Sequence, residues 1–443
     1  MEIWFIAVIA GAAAVGIIAV IIAVTASQPP AAPMPDGTEP ENSNTSIPNN
    51  SSGSPDPAPA PIIDDSPGPV PGDNDVFTAI PDLNPPQIRD QSLMIEKVVE
   101  GLSAPTSMAF VDERNLIVLQ KDDGRVMLVA DGVLQEEPLA TFDVENASER
   151  GLLGVAVNDR DVFIYVTINE GEVRHRVYRF AWQDGSLEAK TLILDLPGTP
   201  GPNHDGGKMT GGSDGMLYIV IGDLNRDGAL QNYRDGPAPD DTSAILKVDR
   251  DGRPAAFIFA DEGKSAAYYA YGVRNSFGLA FDPITNVLWD TENGPDGYDE
   301  MNVVLPGFNS GWERVMGPMS RSSATEEDLV KLEGSQYADP AFSWQSPIGV
   351  TDMTFSGLPG NYENNIFAGD INNGSLYYFA VNGDRNGVVL EGGLADKVAD
   401  GGEIDAVTFG TGFGGITDLE TGPDGSLFVL SYGGNIYRIS PAQ

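Results

Sequence analysis

Residues 214–223 read Asp-Gly-Met-Leu-Tyr-Ile-Val-Ile-Gly-Asp, a turn dipeptide followed by an apolar run that ends at a carboxylate. Asp-Gly pairs favour tight hairpin turns, and a short run of aliphatic and aromatic residues is typical of a buried strand. The same unit of turn and strand recurs along the chain. Its central strands are predicted at residues 116–119, 163–167, 217–221, 287–291, 365–368 and 427–430.

The repetition of this unit predicts the fold. Most of the central strands are followed by a turn and a second strand, and helical periodicity is nearly absent, with one short helix predicted at 326–333. Six irregular copies of a small antiparallel sheet predict an all-β fold, a six-bladed β-propeller. Functional residues are then expected in the loops at one end of its central channel. A β-sandwich would have a similar composition, but it would not repeat the unit six times.

Composition restricts the possible partners. The 443-residue chain carries 65 acidic and 25 basic residues, a formal net charge of −40. Such a surface repels phosphate backbones, so no nucleic-acid partner is expected. The chain has no cysteine, which excludes disulfides, thiolate metal sites and cysteine nucleophiles.

The N-terminal segment predicts a connection to a membrane. Residues 3–26 are apolar and uncharged, and at ~1.5 Å rise per residue such a helix can cross a bilayer. Residues 1–27 are therefore predicted to form an N-terminal transmembrane helix. Because residues 24–26, Val-Thr-Ala, suit a signal peptidase, the alternative is a cleaved signal peptide and a secreted protein.

Residues 28–90 are rich in Pro, Ser, Asn and Asp and contain a single basic residue, Arg89. They offer too little apolar surface to fold, so we predict a disordered acidic linker, followed by the propeller at 91–443. Almost no Lys or Arg follows the apolar run. The positive-inside rule therefore favours a membrane-anchored, extracytoplasmic propeller.

One of the two histidines lies in a glycine-rich turn. Residues 203–208 read Asn-His-Asp-Gly-Gly-Lys, and the strand that follows ends at Asp223. An imidazole at His204 with a carboxylate at the end of the next strand is the arrangement needed for an oriented general base. The alternative is a surface histidine and a strand-end cap. The other histidine, His175, lies on an alternating strand and is interpreted as structural or exposed.

Several further motifs follow in order along the chain. Residues 271–283 read Tyr-Gly-Val-Arg-Asn-Ser-Phe-Gly-Leu-Ala-Phe-Asp-Pro, residues 289–295 read Trp-Asp-Thr-Glu-Asn-Gly-Pro, and residues 299–302 read Asp-Glu-Met-Asn. Together with the His204 turn and with segments 101–110 and 149–154, this series resembles the soluble quinoprotein sugar dehydrogenases. That glucose/sorbosone dehydrogenase family uses pyrroloquinoline quinone (PQQ) and calcium. The resemblance extends from about residue 100 to the C-terminus.

The resemblance implies oxidation of aldose sugars at the C1 hydroxyl to lactones. His204 would remove the hydroxyl proton, Asp223 would orient His204, and Arg274 would polarise the quinone carbonyl. Asn275 would be a neighbouring cofactor contact. Glu149 stands where relatives usually have Gln, a residue that hydrogen-bonds on the substrate side. It is predicted with Arg274 and Asn275 among the cofactor-binding residues, and its carboxylate could accept hydrogen bonds from sugar hydroxyls. Electrons would pass to a membrane quinone or to an external acceptor protein.

The resemblance also implies two calcium positions. Main-chain carbonyls of the turn Asn293, Gly294 and Pro295 would hold one ion beneath the cofactor. A second, structural ion would take Glu300 and the carbonyl of Ser310. The anionic character of this stretch suits a hard cation with oxygen ligands, and the alternative is a solvated acidic loop.

Part of the family's cofactor-binding set is absent. A Lys that binds a PQQ carboxylate in relatives is Asn372 here, and an Arg-x-Arg pair is replaced by Gly415 and Thr417. Each lost charge-assisted partner costs roughly 1.5–3 kcal/mol of binding free energy. Three basic residues are candidates to compensate, namely Lys208, Arg226 and Arg150. The alternative function is a non-catalytic calcium-binding propeller that binds carbohydrate or protein at the cell surface, and fold analogy adds a calcium-dependent lactonase.

Overall fold

The computed structural model describes residues 85–442, apart from 227–231, 234–235, 237 and 260–262. The predicted membrane helix and most of the predicted linker lie outside the described residues. Among the residues that are described, no helix has both the length and the apolarity required to span a membrane.

The described part of the chain is built from short strands. In chain order these are β1 (Gln87–Ile88), β2 (Leu93–Val99), β3 (Pro105–Phe110), β4 (Asn115–Gln120), β5 (Arg125–Ala130), β6 (Val133–Leu134), β7 (Ala140–Thr141), β8 (Leu152–Asn158), β9 (Asp161–Asn169), β10 (Val173–Gln183), β11 (Ser186–Pro197), β12 (Met209–Gly211), β13 (Leu217–Ile221), β14 (Ala244–Val248), β15 (Tyr268–Tyr271), β16 (Ser276–Phe281), β17 (Leu288–Glu292), β18 (Asp299–Val304), β19 (Phe308–Asn309), β20 (Gln336–Tyr337), β21 (Phe342–Trp344), β22 (Val350–Phe355), β23 (Ile366–Asp370), β24 (Leu376–Phe379), β25 (Val398–Ala399), β26 (Thr408–Thr411), β27 (Ile416–Thr421), β28 (Leu427–Ser431) and β29 (Asn435–Pro441). Short 3₁₀ helices occupy Lys264–Ala267, Met319–Arg321, Gly360–Tyr362, Gly392–Asp396 and Glu403–Ala406.

These strands pair into six sheets, which we number from the strand that begins each one. Sheet 1 is β3-β4-β5-β6 with β7 also on β5, sheet 2 is β8-β9-β10-β11, sheet 3 is β12-β13-β14-β15-β19-β20, sheet 4 is β16-β17-β18-β21-β25, sheet 5 is β22-β23-β24-β26-β1, and sheet 6 is β27-β28-β29-β2. The first strand of each sheet contacts the first strand of the next, from β3 through β8, β12, β16, β22 and β27 back to β3. The prediction of an all-β propeller is therefore confirmed.

The ends of the described chain are joined to the ring by strand pairing. Strand β2 pairs with β29, so the first and last long strands share sheet 6. Strand β1 pairs with β26 through Gln87 and Ile88, within the stretch that the sequence assigns to the linker. The hydrogen-bonded structure thus begins before residue 91.

The hydrophobic core is divided among the spaces between neighbouring sheets. Between sheets 4 and 5, Trp289 meets Phe355 edge-on with ring centroids 6.0 Å apart. Between sheets 6 and 1, Phe110 meets Phe428 in the same manner at 5.1 Å. Because both faces of most sheets are covered in this way, the central strands read as continuous apolar runs. All six predicted central strands are confirmed, each as the second strand of its sheet.

The helix predicted at 326–333 is wrong. This segment forms turns, and side chains of sheet 3 and its loops bind its backbone instead. The Val330 carbonyl accepts a hydrogen bond from the Tyr271 hydroxyl at 2.5 Å, and the Val330 amide donates to Asn232 Oδ1 at 3.2 Å. The side chains of Tyr271 and Asn232 therefore satisfy the backbone carbonyl and amide of Val330, which a helix would have paired with its own backbone.

Candidate active site

A pocket of about 300 Å³ opens where the first strands of the sheets begin. In five of these strands the register shifts near the start, and an extra residue is left without a cross-strand partner. Such bulges redirect side chains. A residue from each of the five bulges lines the pocket, namely Thr106, Leu153, Phe277, Thr351 and Thr417. The bulges thus open the channel into a pocket at one end.

His204 and Asp223 meet at this pocket. His204 Nδ1 lies 2.6 Å from Asp223 Oδ1, and the histidine side chain is 12% exposed whereas the carboxylate is fully buried. Asp223 Oδ2 accepts a hydrogen bond from Trp312 Nε1 at 2.7 Å. Burial favours the neutral acid, but the hydrogen bonds with His204 and Trp312 and the charges of His204 and Arg274 together outweigh it, and the pKa of Asp223 lies below its ordinary value. Asp223 is therefore held as a carboxylate against the imidazole.

The turn that carries His204 is held by residues from another loop. His204 adopts a positive φ of 63°, and its amide donates to Glu149 Oε2 at 2.6 Å. On one side of Glu149, Ser148 hydrogen-bonds to Asn203, the residue before His204. On the other side, Arg150 Nε lies 3.9 Å from Asp205 Oδ1. The two tripeptides 148–150 and 203–205 therefore contact each other residue by residue.

Glu149 lines the pocket, and its carboxylate also has structural partners. In addition to the His204 amide it accepts a hydrogen bond from Asn275 Nδ2 at 3.2 Å. Burial, with the neighbouring Asp205, raises the pKa of Glu149. Glu149 thus connects the His204 turn to the predicted cofactor contact.

Arg274 and Asn275 lie on the side of Glu149 opposite the His204 turn. Arg274 Nη1 donates to the Asn293 carbonyl at 2.9 Å, and its guanidinium lies 5.2 Å from the centre of the Trp312 ring. Arg274 Nε and Asn275 Oδ1 are buried and have no hydrogen-bond partner. Both residues line the pocket, so one unpartnered donor and one unpartnered acceptor are buried in its wall.

The predicted calcium turn lies at the same pocket. Asn293 and Gly294 line it, whereas Pro295 does not. The Gly294 amide donates to Asp299 Oδ1 at 3.1 Å. The other carboxylate oxygen of Asp299 accepts the main-chain amides of residues 348–350, which joins the turn to sheet 5.

Three buried carboxylates lie behind this turn, on β17 and β18. Burial raises the pKa of Asp290, Glu292 and Glu300, and the proximity of their charges raises it further for Asp290 and Glu300. Ser310 Oγ donates to Glu292 Oε2 at 2.6 Å, while both oxygens of Asp290 lack a hydrogen bond. Within the described ranges, no three His, Asp or Glu side chains form a set that could hold a metal ion on its own.

The positions that depart from the family pattern differ in their environment. Asn372 and Thr417 line the pocket, whereas Gly415 does not. Thr417 Oγ1 donates to the Pro105 carbonyl at 2.9 Å. This part of the pocket is therefore neutral where relatives carry positive charge.

Two of the predicted compensating residues do not line the pocket. Arg150 binds the carbonyls of Gly198 and Pro200, and Arg226 pairs with Asp240. The third, Lys208, does line it, and its Nζ contacts two buried carboxylates. Lys208 therefore brings little uncompensated charge to a ligand.

Lys121 and Trp312 are among the residues of the site that were not predicted from the sequence. Lys121 lines the pocket from the turn after β4, and Trp312 supports Asp223. Neither belongs to a motif that signals its role. His175, interpreted as structural or exposed, is fully buried, with its Nε2 3.0 Å from Asp205 Oδ1 beneath the His204 turn.

Comparisons with known proteins show which sequences and folds this chain resembles. The family model for glucose/sorbosone dehydrogenase matches residues 102–438. An uncharacterized protein from Synechocystis is 28% identical over 75% of this chain and 82% of its own length, and the aldose sugar dehydrogenase YliI from Escherichia coli is 28% identical over 57% of this chain and 64% of its own. The PQQ-bound structure of an aldose sugar dehydrogenase from Streptomyces coelicolor has the same fold, with a TM-score of 0.60 at 20% identity, covering 80% of this chain and 99% of that one.

Proposed function

Because the chain belongs to the glucose/sorbosone dehydrogenase family, we propose that it is a PQQ- and Ca²⁺-dependent dehydrogenase that oxidises aldoses at the C1 hydroxyl to lactones. The observation that carries this proposal is the pairing of His204 with buried Asp223, at a pocket that Arg274 also lines. A base, its orienting carboxylate and a cation then surround one space that a sugar can enter.

In this proposal His204 takes the proton from the sugar hydroxyl. With Nδ1–H donated to Asp223, the lone pair lies on Nε2, which is the basic atom of the ring. Asp223 fixes this tautomer and stabilises the imidazolium that forms. The hydrogen bond from Trp312 holds the second oxygen of Asp223, so the carboxylate stays in place against the imidazole.

The residues of the pocket fit an anionic, polar cofactor. Lys121, Lys208 and Arg274 line it against one carboxylate, that of Glu149, although acidic residues outnumber basic ones by 65 to 25 in the chain. Arg274 and Asn275 would bind oxygen and nitrogen atoms of PQQ through their unsatisfied groups. When bound, PQQ supplies the two-electron acceptor for the oxidation of the sugar.

We further propose calcium at the two positions that the family suggests. Carbonyls of the turn 293–295 would hold one ion, and Glu300 with the Ser310 carbonyl would hold the other. Buried Asp290, Glu292 and Glu300 lie close together there, and a divalent cation would stabilise their ionised forms. Main-chain oxygens are needed to complete either site.

The proposed protein is a six-bladed propeller held outside the cytoplasm by an N-terminal anchor. Six sheets joined in a ring support a six-bladed propeller. The apolar residues 3–26 support an N-terminal transmembrane anchor, with residues 28–90 as linker and the propeller outside the cytoplasm. A membrane quinone or an external redox protein would then receive the electrons.

Dye reduction by the purified protein tests this function. With PQQ and Ca²⁺ present, we expect glucose or other aldoses to reduce a redox dye, and we expect His204→Ala to abolish this reaction while PQQ still binds. Lys97→Met, a change on β2 outside the pocket, serves as the control and should leave the reaction unchanged. If the protein fails to bind PQQ at high micromolar concentration, the proposal is wrong.

One observation favours a second function. The wall formed by Asn372 and Thr417 carries no positive charge for cofactor carboxylates, which suits a non-catalytic calcium-binding propeller that binds carbohydrate or protein at the cell surface. In that case Ca²⁺ would raise the melting temperature, whereas PQQ would have no effect on it and no aldose would be oxidised.

A further inference from the structure

We infer that Lys121 binds a carboxylate of the anionic cofactor and replaces the positive charge that relatives carry at the positions of Gly415 and Thr417. The inference rests on the proposed function and assigns a binding residue that the family motifs do not include. It is supported by the position of Lys121, by its neighbours and by the partners of the other basic residues.

Lys121 is the first residue after β4 and lines the pocket. Its side chain is 8% exposed, and its Nζ donates to Asp122 Oδ1 at 2.8 Å and to the Asn146 carbonyl at 3.3 Å. The Asp122 side chain is 46% exposed. Water therefore screens this ion pair, and exchange of Asp122 for a ligand carboxylate costs little.

Lys121 lies next to the position from which positive charge has been lost. Thr417 Oγ1, on sheet 6, donates to the Pro105 carbonyl on sheet 1. Pro105 is the cross-strand partner of Gln120, the residue immediately before Lys121. A ligand carboxylate near Thr417 would therefore have Lys121 as a cation across the boundary between sheets 6 and 1.

The other basic residues that line the pocket are held by protein partners that are less exposed to solvent. Lys208 is bound by Asp352 and Asp418, which are 0% and 1% exposed. Arg274 donates to the Asn293 carbonyl on the sheet 4 side. Among the lining bases of the described chain, Lys121 is thus the one whose carboxylate partner is solvent-exposed.

The stem of Lys121 is held in place. Gly151 has a φ of 141°, and a Cβ atom at this position would lie 2.8 Å from Lys121 Cγ. The Lys121 carbonyl accepts the Leu152 amide at 3.0 Å, which fixes the same loop from the other side. A cation positioned in this way loses little conformational entropy when a ligand binds.

Equilibrium titration with PQQ, in the presence of Ca²⁺ and without sugar, tests the inference. We expect Lys121→Met, which keeps most of the apolar stem, to raise the PQQ dissociation constant by about 10- to 100-fold. Lys121→Arg should recover most of the affinity, and Lys97→Met should bind PQQ like the wild type. Added NaCl should weaken PQQ binding to the wild type more than to Lys121→Met. Thermal unfolding checks that each variant is folded.

The outcomes separate this inference from the proposed function. If the wild type binds PQQ and Lys121→Met binds it within twofold of the same affinity, the role of Lys121 is overturned while the proposed function stands. If the wild type binds no PQQ, both are overturned. Weaker binding by Lys121→Met with rescue by Lys121→Arg supports both.

Discussion

The Glu149 carboxylate accepts the main-chain amide of His204 at 2.6 Å, across 55 residues of sequence. The catalytic candidate is thus placed by a side chain from another loop, since His204 itself adopts a positive φ that few non-glycine residues favour. The same carboxylate accepts from Asn275, so one residue joins the proposed base to the proposed cofactor contact.

This relationship predicts different results for two substitutions of Glu149. Glu149→Gln keeps an acceptor for the His204 amide, so the melting temperature should change little and turnover should fall by less than about tenfold. Glu149→Ala leaves two buried donors unsatisfied, which should cost roughly 1–3 kcal/mol of stability and most of the activity. Urea unfolding and dye-reduction assays on both variants measure these effects. Equal loss in the two variants would show that the charge of Glu149 matters more than its hydrogen bonds.

Asp223 should matter for turnover and little for cofactor binding. Asp223→Asn preserves size but removes the charge that stabilises the imidazolium, so we expect kcat to fall by about 10²- to 10⁴-fold with the PQQ dissociation constant nearly unchanged. Asp131→Asn, an exposed carboxylate paired with Arg114, is a matched control. Turnover close to that of the wild type in Asp223→Asn would argue against His204 as the base.

The ion cluster of Lys208, Asp352 and Asp418 should be important for stability. Lys208 Nζ lies 2.8 Å from Asp352 and 2.5 Å from Asp418, and both carboxylates are buried. Lys208→Met leaves them without a counter-charge and should cost roughly 3–5 kcal/mol. The triple variant with Asp352→Asn and Asp418→Asn should regain much of that loss, as measured by urea unfolding. If the triple variant is no more stable than Lys208→Met, the lost stability does not come from unpaired charge.

Glu420 should make the protein less stable as pH rises. Burial, with the neighbouring Asp418, raises the pKa of Glu420 to about 8. Because the folded state holds this proton more tightly than the unfolded state, stability falls as pH rises from about 4.5 through about 8. Glu420→Gln should remove this dependence and stabilise the protein by roughly 1–3 kcal/mol at pH 9. Melting temperatures of both proteins across this pH range measure the effect, and parallel curves would exclude it.

The sequence determined the parts of the molecule that depend on neighbours along the chain. A polar turn followed by an apolar run specifies a buried strand, and this holds for all six central strands, with Asp-Gly as the turn before β13 and β28. The position of Asp223 at the end of β13 follows from the same run. The predicted helix at 326–333 shows the limit of such reasoning, because Tyr271 and Asn232 bind the backbone of Val330 from elsewhere in the chain.

The tertiary structure alone decided which distant residues share the pocket. Trp312 reaches Asp223 from 89 positions away, and Lys208 reaches Asp418 from 210 positions away. No local pattern encodes these contacts, because they arise when the first strands of six sheets close into a ring and bulges turn their leading residues into the channel. The pairing of Lys208 with buried acids, and the exposure of the acid beside Lys121, follow from that closure. Burial sets the dielectric around each charge, and burial is a property of the folded chain.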